Sequence, residues 1–203
     1  MHRETFTCAI LDERKTFRLA TLKVRALIAK KDPWHSSCRK VEEVVEIFDR
    51  ANEIWSQAGV KFDAEVLERR FDPTVLSGIV QAGFRRLDDA PRLGEVTGED
   101  PRVVTALYVH SIGGSNGKVF RPSKTVLIVD DTKMPASRTT AHEIGHLFGL
   151  EHWLDSPPPL PSDRPPTHLM ARTQPGTELV QRDIDHVREW LASGWGSALS
   201  GSG

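Results

Sequence analysis

Thr140-Ala141-His142-Glu143-Ile144-Gly145-His146-Leu147-Phe148-Gly149-Leu150-Glu151-His152 is the stretch on which the reading of this chain turns. Positions four apart on an α-helix stand one above the other, so a helix here aims the imidazoles of His142 and His146 at one point. Glu143 points about 100° round the same turn, where it flanks an ion without filling its coordination sphere. Gly149 has a separate task. A helix running through it would carry His152 away, whereas glycine at a C-terminal turn can take positive φ and bend the chain back. His152 then arrives as a third nitrogen ligand. Three imidazoles leave one tetrahedral position for water, the arrangement that separates catalytic from structural zinc sites. In a chain with 8 His and 15 Gly, the spacing H-E-x-x-H-x-x-G-x-x-H arises by chance about once in ten thousand such chains. Zn2+ is therefore the expected cofactor, with His142, His146 and His152 as ligands and Glu143 as the catalytic residue. Glu178 as an alternative third ligand is disfavoured by a histidine already standing at the required offset.

Outward from this stretch the pattern alternates strands and helices. Residues 103–109 and 126–129 are continuous apolar runs, the mark of strands buried on both faces. Residues 17–29 alternate, with Leu22, Val24, Ala26 and Ile28 on one side, and read as a strand. Val41, Val44, Val45, Phe48, Ala51, Trp55 and Ala58 recur at three- and four-residue steps. They predict a helix capped in front by Ser36 or Ser37 and closed behind by Gly59. Residues 60–70 read as a second strand, 74–84 as a short helix, 118–121 as a short edge strand and 137–150 as the helix bearing the histidines. A last helix carries Val180, Ile184, Val187 and Leu191 on one face. The fold expected from these elements is α/β with a mixed sheet. Residues 155–166, which hold six of the 13 prolines, read as an extended loop.

Composition sets the outer limits. Two hundred and three residues, 38% of them hydrophobic, fit one domain with a real core. Lys and Arg number 27 against 28 Asp and Glu, so the basic footprint of a nucleic-acid binder is missing. No run approaches the ~20 apolar residues of a membrane span. The N-terminus lacks the apolar segment of a secretory signal. Cys8 and Cys38 are too few for a disulfide framework and read as free or buried thiols. Asp130-Asp131, and Asp155 with Asp163, lack the regular spacing of a calcium loop and read as solvated. His110 and His186 read as ordinary polar positions, and His168 as a loop histidine.

The segment from His142 to His152 resembles the extended zinc signature of the metzincin metallopeptidases. Thr167-His168-Leu169-Met170 lies where that family has its methionine-containing turn, and Met170 is the candidate methionine. The resemblance implies an α/β (α+β) fold in which a mixed twisted sheet with long helices, an active-site helix and a C-terminal helix surround a zinc cleft. It implies one metallopeptidase domain over 1–203. Residues 1–152 would form an N-terminal subdomain, 153–195 a C-terminal subdomain with the Met-turn and last helix, and 196–203 a flexible tail. The implied activity is a zinc-dependent endopeptidase in which a Glu-assisted, zinc-activated water attacks the peptide bond. The alternative is a zinc-binding toxin, effector or scaffold domain that captures a partner protein with little hydrolysis. A peptide substrate would pair with the edge strand through Asn116, Gly117, Lys118, Val119 and Phe120. The expected partners are a protein or peptide substrate and a proteinaceous inhibitor or immunity protein, for a monomer with no nucleic acid and no membrane span. Secretion by a signal-peptide-independent route is expected, with the cytoplasm as the alternative. No tyrosine follows Met170, so the tyrosine ligand of astacin- and serralysin-like members has no counterpart. Trp153 after the third histidine matches no subfamily marker.

Overall fold

Strands β3 (Val104–Val109) and β5 (Thr125–Val129) are buried at every position, as their unbroken apolar runs require of strands covered on both faces. They are central in a five-stranded sheet of order β2-β1-β3-β5-β4. Strands β1 (Ala20–Lys30) and β2 (Val60–Arg70) complete one side and β4 (Gly117–Phe120) forms the opposite edge. The pairs β1–β2, β1–β3 and β3–β5 are parallel, and β4 runs antiparallel to β5. Four helices accompany the sheet among the described residues: α1 (Val41–Trp55), α2 (Pro73–Ala82), α3 (Ala136–Leu147) and α4 (Gln181–Ala192). This mixed α/β architecture is the fold class expected from the sequence. The computed structural model describes residues 20–32, 34–82, 100, 103–112, 114–121, 123–152, 167–171 and 176–193. The expectations for residues 17–19, 83–84 and 155–166, for Cys8 and for the tail beyond residue 193 lie outside them. No described helix is long and apolar enough to cross a membrane.

Two cores separate on the sheet's two faces. Leu22, Val24, Ala26 and Ile28 of β1 turn toward α1 and α3, where they meet Val44, Phe48, Trp55, Ile144 and Phe148. The opposite face packs Leu27, Leu107, Leu127 and Phe120 against Leu76 and Ile79 of α2. Trp55 ties α1 to α3: its ring meets Phe148 edge-on at 4.8 Å and its indole N–H donates to the Ala141 carbonyl at 3.3 Å. A full-length indole buried with its N–H satisfied anchors the helix that carries the histidines.

Several boundaries differ from the sequence expectation. Helix α1 ends at Trp55 and continues as one 3-10 turn, Ser56–Ala58, before Gly59 at φ 73° reverses the chain. Its N-cap is Lys40, whose backbone N–H donates to Glu43 at 2.8 Å. Neither Ser36 nor Ser37 caps it. The Ser37 hydroxyl donates instead to Asp130, 2.6 Å away, and the Ser36 hydroxyl accepts from the Asp32 N–H. Val180 is the N-cap of α4 rather than part of its apolar face, and among its four expected face positions only Val187 is buried. Asp130 is not a solvated loop residue. It also accepts from the Cys38 N–H and faces Arg39 and His110, tying the turn after β1 to the end of β5. Cys38 is a free, exposed thiol.

Candidate metal centre

Helix α3 delivers His142 and His146 on one face, and the chain leaves it three residues earlier than residue 150. Gly149 adopts φ 87°, a left-handed conformation that costs a Cβ-bearing residue about 1–2 kcal/mol. The Gly149 N–H caps the His146 carbonyl at 3.1 Å and the Leu150 N–H caps that of Gly145 at 3.0 Å. This turn returns His152 to the other two. The His152 Nε2 stands 3.0 Å from Nε2 of His142 and 3.2 Å from Nε2 of His146, and the three form the one metal-competent cluster among the described residues.

The hydrogen bonds behind the rings define what those nitrogens offer. His142 Nδ1 faces the Leu169 carbonyl at 2.8 Å, and His146 Nδ1 faces the Leu150 carbonyl at 2.7 Å. A carbonyl can only accept, so each Nδ1 carries the proton and each Nε2 presents a lone pair. Burial drives the His142 imidazole down to about 3, keeping it neutral. Nitrogens held at about 2.0–2.1 Å from a tetrahedral ion stand roughly 3.3 Å apart, close to the spacings found. The three residues therefore fit a divalent cation, and the backbone carbonyls supply the outer partners that orient metal-bound imidazoles.

Glu143 is 7% exposed. Burial pushes its carboxyl up to about 8, against the opposing pull of Arg138 and Lys118. It lies against Gly117 at the start of the edge strand: a Cβ on Gly117 would stand 2.6 Å from Glu143 Cγ and 2.8 Å from the Leu127 carbonyl oxygen. Gly117 thus makes room for the acid, a task its place in the sequence does not announce. Of the other residues expected at the edge strand, Asn116 precedes β4. Its carbonyl accepts from Val129 N–H and its side chain from Lys133 N–H. Lys118 and Val119 are half-buried and Phe120 is fully buried in the α2-side core, which removes the Phe120 side chain from any cleft. Met170, 0% exposed, packs its sulfur beneath Gly145, where a Cβ would stand 2.8 Å from Sδ. Glu178 lies away from the triad and accepts from the Thr167 hydroxyl at 2.6 Å. His186 Nε2 donates to the Phe148 carbonyl at 3.1 Å.

No protein-family profile matches the chain, and no curated protein matches it. Its fold is shared with a solved structure. Archaemetzincin from Methanopyrus kandleri aligns over 87% of this chain and 99% of its own, at 15% identity and a TM-score of 0.52. Metalloproteinase-II from Bacteroides fragilis aligns over 86% of this chain and 55% of its own (17% identity, TM-score 0.47). A zinc-dependent peptidase from Methanocorpusculum labreanum aligns over 87% and 100% (12% identity, TM-score 0.41).

Sequence reasoning missed the residues that hold the ground beneath the triad. His168 is no loop histidine: it is 1% exposed and its Nε2 bonds to the buried Asp183 carboxylate. Arg138, also buried, donates to the carbonyls of Leu169, Ala171 and Gly176. A charged residue on the first turn of an otherwise core-facing helix was the available signal for Arg138, and the histidine two before Met170 was the signal for His168.

Proposed function

We propose that the chain is a zinc-dependent endopeptidase of metzincin type. The observation that carries this reading is the convergence of three imidazole Nε2 atoms, two with their Nδ1 protons committed to backbone carbonyls, with the buried carboxylate of Glu143 on the same helix and outside the cluster. His142, His146 and His152 would hold the zinc, which when bound supplies a Lewis acid that acidifies water and polarises a carbonyl. Glu143 accepts a proton from the attacking water at its carboxylate. That transfer accompanies formation of the bond between the water oxygen and the carbonyl carbon, and Glu143 then hands the proton to the amine nitrogen as the C–N bond breaks. Its low-dielectric surroundings raise its basicity, which suits a group that must take a proton and give it back near neutral pH. Gly117 keeps the carboxylate in place, and β4, an edge strand among the described residues, offers backbone groups to an extended peptide. The reversal at Gly149 and the methionine under Gly145 support the metzincin assignment.

The test pairs composition with chemistry. Protein purified without chelators should contain one zinc per chain and cleave denatured casein, and a chelator should abolish cleavage. Glu143→Gln should keep the zinc while losing about 10²–10⁴ in turnover. Full activity in that variant would remove Glu143 from the reaction, and a chain without transition metal would remove the peptidase reading.

A further inference from the structure

We propose that Arg138 and the buried His168–Asp183 pair are positioning residues for His142, setting its ring orientation through the Leu169 carbonyl and so the metal affinity of the triad. This rests on the reading of the three histidines as a metal centre.

The segment 167–171 is held at most of its backbone polar groups. The Leu169 N–H donates to the Glu178 carbonyl at 2.8 Å, and the Glu178 N–H to Thr167 at 2.9 Å. The Met170 N–H donates to His168 Nδ1 at 3.1 Å, and the Ala171 N–H to the His168 carbonyl at 3.1 Å. Because His168 Nδ1 is an acceptor there, its ring proton sits on Nε2 and is donated to Asp183. One side chain of α4 thereby fixes the ring that fixes the backbone of the turn.

The Leu169 carbonyl is where this reaches the centre. It accepts from two donors: Arg138 Nη2 at 2.8 Å and His142 Nδ1 at 2.8 Å. The second bond aims the imidazole, and the first, with the Arg138 bonds to Ala171 and Gly176, keeps the carbonyl from following the ring. A guanidinium offers five donors in a planar fork, which an ammonium cannot reproduce. Arg138 and His142 are one helical turn apart on α3, so the helix carries both the ligand and the clamp on the ligand's acceptor. Loss of an outer-shell partner of this kind weakens metal binding about 10–100-fold.

The experiment measures zinc affinity of the full-length chain by chelator competition, and the visible spectrum of the cobalt-substituted protein, which reports ligand geometry independently of turnover. Arg138→Lys and His168→Asn should each lower zinc affinity 10–100-fold and shift the cobalt bands, with near-UV circular dichroism showing a folded chain. Should one of the two not fold, the other carries the comparison. Asp183→Asn, which keeps an oxygen acceptor for His168, should lie nearer wild type than Asp183→Ala. Val75→Ala, in the core on the opposite face of the sheet, should lower stability and leave affinity and spectrum unchanged. Folded Arg138 and His168 variants with wild-type affinity and spectrum would overturn the inference alone. A wild-type chain that binds neither ion would overturn the metal-centre reading and the inference with it.

Discussion

Replacing Gly117 with alanine isolates the contact between the edge strand and the Glu143 side chain. The added Cβ would lie 2.6 Å from Glu143 Cγ, 2.9 Å from its Cδ and 2.8 Å from the Leu127 carbonyl oxygen, where ordinary contact begins at 3.4 Å. Leu127 belongs to β5, and β4 is tied to β5 in register, Gly117 opposite Ile128. The backbone oxygen cannot retreat without breaking that ladder. The side chain of Glu143 must therefore move, or β4 must lift, by close to an ångström. Overpacking of this kind costs about 1–3 kcal/mol of stability, and a 1 Å misplacement of a reacting group costs about 10²-fold in rate. The atoms an added Cβ meets first belong to Glu143 and Leu127, not to the three histidines, so the zinc should stay. The assay is turnover on a fluorogenic peptide at measured zinc occupancy, beside Gly78→Ala in α2, where a Cβ meets nothing within 4 Å. Gly78→Ala should be neutral or slightly stabilising, since alanine is the better helix former. A fully active, zinc-loaded Gly117→Ala protein would refute the account of how Glu143 is held.

Other outcomes follow from the same geometry. In metal-free protein the folded state keeps a proton on Glu143 up to about pH 8, whereas the unfolded chain releases it near 4.5. Folding therefore binds protons in that window, and stability should fall by up to a few kcal/mol as pH rises through it. Thermal melts of Glu143→Gln should lack that slope. His142 acts in the opposite sense at lower pH: the unfolded ring protonates near 6.5 but the buried one only near 3, so metal-free stability should also fall as the pH drops between those values. Gly149→Ala forces a Cβ into a φ 87° turn and to 3.0 Å from His186 Nε2. It should cost about 1–2 kcal/mol and weaken zinc binding by displacing His152, read by chelator competition. Free zinc at 100 times its dissociation constant should add about 2.7 kcal/mol to stability, visible as a rise in melting temperature, and His146→Ala should abolish that rise.

The sequence alone determined the elements whose reasons are local. Period-four histidines on a helix, a glycine able to reverse the chain after it, and unbroken apolar runs in β3 and β5 are all short-range patterns, and they located the triad and the mixed sheet. What the tertiary structure decided depends on partners far apart in the chain. Ser37 could cap α1, but the Asp130 side chain just past the end of β5 offers it an acceptor at 2.6 Å, and Glu43 takes over the cap. In the sequence His168 reads as one more polar loop position, whereas in the fold Asp183, 15 residues on, is buried against it. Gly117 read as a piece of edge strand, and only the packing of α3 across β4 shows that its missing side chain is the space Glu143 occupies. Periodicity and turn chemistry act within a few residues and can be read in one dimension. A buried polar group chooses its partner by which satisfied arrangement the whole fold permits, and that is set in three dimensions.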